Sequence, residues 1–212
     1  MMQRLSPSIL LMAFLAATIL FQTGCSTSPP TRFYALSSFA AGKPTEAGMA
    51  QKEPVVVSVG PVGIPEYLDR QQIVTRNSTN QLTLGDFDFW GGSLENDVNR
   101  VMVDNLSVML APKGISAVTW RARVPFAYSI SISMTRFEAT GDAVILKSQW
   151  GIVEAGGQTA AIVRGSVITK PLAGRDYKDI VGGMSDALAD LSREIAVSIE
   201  KTVEISRAER SR

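Results

Sequence analysis

The chain has 212 residues, 45% of them hydrophobic, with 21 Lys and Arg against 20 Asp and Glu, a formal net charge of +1, one cysteine and no histidine. That balance offers no basic field for nucleic acid, and the missing histidine excludes Cys/His zinc sites and the Ser-His-Asp and Cys-His nucleophiles. A lone cysteine closes no disulfide within the chain, and no spacing of the remaining carboxylates, Lys, Tyr or Ser supports a catalytic centre, so the expectation is a non-enzyme without cofactor or metal.

The first element follows Arg4. Residues 9–21 are an apolar run broken only by Thr18. At about 13 residues the run fits the h-region of a signal peptide and is short for a bilayer span. Gly24 and then Cys25 follow it. This order is the mark of a bacterial lipoprotein signal, cleaved after Gly24 and lipidated on the Cys25 sulfur, although Gln22 stands where such signals usually carry Leu. Buried methylenes contribute about 0.8 kcal/mol each and one acyl chain alone holds only marginally. The three chains of a mature lipoprotein hold a domain to its leaflet. Ser26, rather than Asp, follows the cysteine and favours the outer membrane, with the domain facing the periplasm. The expected organisation is a signal peptide at 1–24, a lipidated tether at 25–31, a single globular domain at 32–205 and a polar tail at 206–212.

Beyond the tether, residues 33–36 read as a strand and 40–52 as a mobile loop. Residues 55–59 are a β-branched strand closed by Gly60 and Pro61. Residues 65–70 suit a short turn, and 71–76 with 81–84 form a hairpin. Ser93 is a good N-cap for a helix whose apolar residues, from Leu94 to Leu110, recur at helical spacing until Pro112 and Gly114 stop it. A short strand at 115–120 comes next. From Phe126 the pattern alternates: Tyr128, Ile130, Ile132 and Met134 share one face and Ser129, Ser131 and Ser133 the other. Two more such strands, near 144–152 and 160–169, complete an antiparallel meander. A last helix begins near Asp176, with one apolar stripe from Tyr177 to Val203. The fold class is therefore α/β or α+β: a mixed sheet of about five to seven strands with two long helices packed on it.

Several features carry two readings. Asp86 and Asp88 suit acid–base chemistry or the capping and solvation of a helix start. Phe87, Phe89 and Trp90 suit an aromatic grip on a partner or a staple at the helix entrance. The serine face at 129, 131 and 133 suits solvent or a contact between subunits.

The most distinctive stretch is residues 60–74, Gly-Pro-Val-Gly-Ile-Pro-Glu-Tyr-Leu-Asp-Arg-Gln-Gln-Ile-Val. It resembles the signature of the PqiC-like auxiliary lipoproteins of MCE-type ABC transport systems. Phe33 to Leu36, Trp90 with Leu94, Arg136-Phe137-Glu138 and Trp150 agree with that family in order. Gln71 and the run around Phe89, Gly91 and Gly92 depart from it. The resemblance implies an outer-membrane-anchored component for intermembrane transport of lipids or hydrophobic molecules. Its partners would be an MCE-domain tunnel protein, the membrane and a possible ring of identical subunits. A periplasmic lipid-binding carrier is the alternative. Within the motif, Pro61 and Pro65 stiffen a bend, Tyr67 and Leu68 can pack back onto the sheet, and Asp69 and Arg70 either pair or reach outward. Pro61, Pro65, Tyr67, Leu68, Asp69, Arg70 and Trp90 are the candidate docking or structural residues.

Overall fold

A computed structural model describes residues 28–39, 55–157 and 160–210. Gly24, Cys25, the signal segment and the whole 40–52 loop lie outside the described residues. Among these residues eight strands and two α-helices follow in chain order: β1 Arg32–Tyr34, β2 Val55–Gly63, β3 Gln72–Ser78, β4 Gln81–Trp90, α1 Leu94–Leu110, β5 Ile115–Thr119, β6 Tyr128–Thr140, β7 Ala143–Glu154, β8 Ala160–Pro171 and α2 Tyr177–Arg210.

β6 organises the sheet. Along one edge it pairs antiparallel with β7, from Tyr128 opposite Glu154 to Thr140 opposite Ala143, and β8 pairs antiparallel beyond β7. Along its other edge it takes two neighbours in series. Its first half runs parallel to β2, from Val57 opposite Tyr128 to Gly63 opposite Ser133. Its far end runs parallel to β3, at Thr75 opposite Ala139 and Arg76 opposite Thr140. β5 lies parallel outside β2, while β4 lies outside β3 and carries β1. Because one long strand accepts two successive partners, all the segments join a single eight-stranded sheet, larger than the expected five to seven.

Both helices cover one face. Alternation sends Val57, Val59, Ile130, Leu146 and Ile152 into a core completed by Val98, Met102 and Leu106 of α1 and Leu188, Ile195 and Ile199 of α2, all fully or almost fully buried. Burying side chains of this size contributes about 1.5–3 kcal/mol each. Ser93 caps α1, accepting from the Asn96 amide at 3.4 Å. Gly114, at φ 68°, takes the left-handed conformation that ends the helical stretch after Pro112. The helices touch through a polar pair, Asn105 Nδ2 donating to Ser192 Oγ at 3.3 Å, with both residues buried. α2 continues to Arg210 and takes in most of the segment read as a polar tail. Among the described residues no helix is long and apolar enough to cross a membrane.

Two further differences concern β1 and β4. β4 runs on through Phe87, Phe89 and Trp90, which sequence reading placed at the helix entrance. Its register breaks between Leu84 and Phe89, so the period of two is interrupted there. Past β1 the chain leaves the sheet and crosses the helices. The Leu36 amide donates to Asp97 Oδ2 at 2.6 Å, that of Ser37 to Ser185 Oγ at 3.1 Å, and that of Phe39 to Asn105 Oδ1 at 3.2 Å.

Candidate functional site

The distinctive motif is the junction where the neighbour of β6 changes from β2 to β3. At its start Gly60 has φ 114°, and a Cβ there would overlap the Trp120 ring. Only glycine meets both demands. Val62 is buried opposite Ile132, whereas Pro61 is exposed. Pro65 then precedes a 3-10 turn at Glu66–Leu68, closed by the Leu68 amide donating to the Pro65 carbonyl at 2.9 Å. The turn drives Leu68 into the core and leaves Asp69 and Arg70 exposed. Asp69 and Arg70 form no ion pair with each other among the described residues.

Tyr67 does not face solvent freely. Its hydroxyl donates to Glu138 Oε2 at 2.6 Å. Glu138 is fully buried and gathers further donors: Arg76 Nε at 2.8 Å, Arg136 Nε at 3.0 Å and the Phe137 amide at 3.1 Å. Arg76 also lies 5.7 Å from the centre of the Tyr67 ring. Burial works to raise the pKa of the Glu138 carboxyl, but the bonds from Tyr67, Arg76 and Arg136 prevail and hold it below the ordinary value. Burial and the bond to Glu138 push the Tyr67 phenol up to about 12. A carboxylate with this many donors is a brace. It fixes the junction to the end of β6 and has no spare capacity to move a proton.

A second buried carboxylate holds the N-terminal strand. Asp88 accepts from Arg32 Nε at 2.8 Å, Arg32 Nη2 at 2.9 Å and Tyr34 Oη at 2.8 Å. Burial opposes the charge on Asp88, and these bonds outweigh it and lower its pKa. Asp88 thus pins β1 to β4 and does not cap a helix. Asp86 is exposed. Trp90 is buried at the end of β4, its amide donating to the Gln71 carbonyl at 2.7 Å. Of the seven candidates, Pro61, Asp69 and Arg70 reach the surface fully, while Leu68 and Trp90 are core. Glu138 is the junction's central residue; the sequence singled it out, with Arg136 and Phe137, only as agreeing with the resembled family, because the donors Tyr67 and Arg76 lie far off in the chain.

The opposite face of the sheet carries no helix. The row formed by Ser131, Gly151 and Val163 and the adjacent row of Ser133, Gln149 and Gly165 have small or neutral side chains, with Val163 and Val167 strongly exposed. On the helix side two open grooves flank the N-terminal segment. One, of about 300 Å³, lies between Tyr34, Trp90 and Arg100, and the other, of about 400 Å³, between Phe39 and the start of α2. No group of three or more His, Cys, Asp or Glu suited to a metal occurs among the described residues.

Residues 34–196 match the family model of the ABC-type transport auxiliary lipoprotein component. The chain belongs to that family, which is not a family of enzymes. Two solved structures share the fold. An uncharacterised protein is 19% identical with a TM-score of 0.67, covering 81% of this chain and 99% of its own. A Xanthomonas campestris protein is 15% identical with a TM-score of 0.67, covering 84% and 99%. PelC from Paraburkholderia phytofirmans, crystallised as a dodecamer, is 11% identical with a TM-score of 0.36, covering 67% and 92%. No curated protein matches the chain.

Proposed function

We propose that this member of the auxiliary lipoprotein family is lipidated at Cys25 after cleavage at Gly24 and held in the outer membrane. From there it docks the tunnel protein of an MCE-type ABC system that moves lipids or other hydrophobic molecules between membranes. The observation that carries the reading is the family match over residues 34–196, joined to the stiff junction at 60–71. Glu138 braces that junction from beneath, so Pro61, Asp69 and Arg70 are presented on backbone that costs little to order on binding. The work of transport belongs to an ATPase elsewhere, and this chain contributes position. Identical subunits in a ring would meet through two different surfaces of each, and the β7–β8 part of the helix-free sheet face supplies one.

The test is capture of the native lipidated protein from crosslinked envelopes. An MCE-domain protein should be recovered with it, and exchanging Asp69 and Arg70 for Ala should reduce the yield without altering folding. Recovery of stoichiometric lipid and no MCE protein would replace this reading with that of a lipid carrier. Membrane fractionation of wild type and Cys25→Ser tests the anchoring separately: the wild type should sediment with outer membrane and the variant should be soluble.

A further inference from the structure

The domain exposes a large aromatic side chain very close in sequence to the expected anchor. Phe33 is the middle residue of β1 and is 70% exposed. Its neighbours Arg32 and Tyr34 turn toward Asp88, so alternation sends Phe33 to the helix-free side. There its ring lies 6.1 Å from that of Phe89, its register partner. β1 runs parallel to β4, so the chain enters the domain at the end of β4 that leads back toward Leu84 and Leu82. Both leucines are also exposed, at 40% and 36%. Phe33, Leu82 and Leu84 thus put exposed apolar surface on the two strands where the chain comes in.

The length of chain outside the domain identifies the occupant. A fully extended chain spans at most about 3.6 Å per residue, so the eight residue steps from Cys25 to Phe33 reach roughly 29 Å at most. Pro29 and Pro30 stiffen part of that span. We propose that Phe33, with Leu82 and Leu84, rests on the lipid surface of the leaflet that holds Cys25 and gives the domain a second membrane contact. This rests on the lipidation of Cys25 proposed above. An exposed aromatic ring suits the interfacial layer, where it meets acyl carbon beneath the headgroups. A contact at β1 also orients the domain, because Arg32 and Tyr34 tie that strand rigidly to β4. The acyl chains alone would leave it free to swivel.

The experiment uses the full chain in its own envelope. A photoreactive benzoyl-phenylalanine is placed at position 33 and, as comparators, at Val163, 71% exposed on β8 at the far side of the same sheet face, and at Val197, 68% exposed on α2. Irradiation should give phospholipid adducts at position 33 at least about fivefold above either comparator. Adducts no higher than those at Val197, or adducts with protein in place of lipid, would overturn the contact. A second measurement uses Phe33→Cys. Its thiol should react with a polar maleimide several-fold faster after detergent solubilisation, whereas Val197→Cys should change little. Equal acceleration at both positions would count against the contact. The mass of the N-terminal peptide separates the two ideas: a lipidated Cys25 with no adduct at 33 defeats only the second contact, and an unmodified Cys25 defeats both.

Discussion

Glu138 shows how much of the candidate site rests on one side chain. It has no contact with water, and its donors come from the 3-10 turn, from β3 and from β6 itself. Replacing it with Gln keeps the shape and removes the charge that two arginines share. Both arginines remain partly exposed, which moderates the cost, so Glu138→Gln should destabilise by about 2–3 kcal/mol in denaturant titration. The carboxyl has a lowered pKa in the folded state. Its contribution is therefore complete above the ordinary value of 4.5 and is lost as pH falls through the folded value. Wild-type stability should decline more steeply below pH 4.5 than that of Glu138→Gln, and an equal decline would refute the assignment. Sequence could not reveal this convergence, because Tyr67 and Arg76 lie 71 and 62 residues away from Glu138. The glycine pair in α2 separates at the same scale. A Cβ on Gly183 would press to 3.0 Å on Leu172 and 3.1 Å on Val144, while one on Gly182 meets nothing within 4 Å. Gly182→Ala should therefore stabilise by up to about 1 kcal/mol and Gly183→Ala should not, as thermal melting would register.

Elements with a clean period were legible in the sequence, and those shaped by tertiary contact were not. The stripe of α2, the Ser93 cap and the β6–β8 meander follow from local pattern alone. The extension of β4 through Trp90 is hidden by its broken register, and its pairing with β1 is a contact across 56 positions. The start of the distinctive motif was read as a bend set by prolines. Its tightest constraint turns out to be Gly60, against the segment that joins β5 to β6. That segment bridges β2, with the Trp120 amide on the Val59 carbonyl at 2.9 Å and the Ala127 amide on the Val56 carbonyl at 2.8 Å. Gly60→Ala meets both a positive φ and the indole, so it should cost more than about 2 kcal/mol. Adding Trp120→Ala should recover only the steric part, and full recovery in the double variant would mean that the backbone conformation carries no penalty.

For the molecule as a whole, the N-terminal segment ties the layers together. It binds the sheet through Asp88, α1 through Asp97 and Asn105, and α2 through Ser185. Asp88→Asn should loosen this segment before anything else. Amide exchange at Leu36 and Phe39 should accelerate by about tenfold or more, while that of the β6 core stays slow. Uniform acceleration across the domain would show instead that the segment and core open as one unit. Composition alone narrowed the chemistry by removing histidine, and the family matched is one of auxiliary transport components.

The anchor proposed at Cys25 would load the domain through its first residues. Tension arriving from the N-terminal side meets β1 along its own axis, so the hydrogen bonds to β4 and the Arg32–Asp88 pair are loaded together in shear and do not peel one by one. Behind them the amides of Leu36, Ser37 and Phe39 grip two helices in succession. β4 hands that load on to β3, its neighbour on the other side, while β6 and β2 stand one and two strands further in.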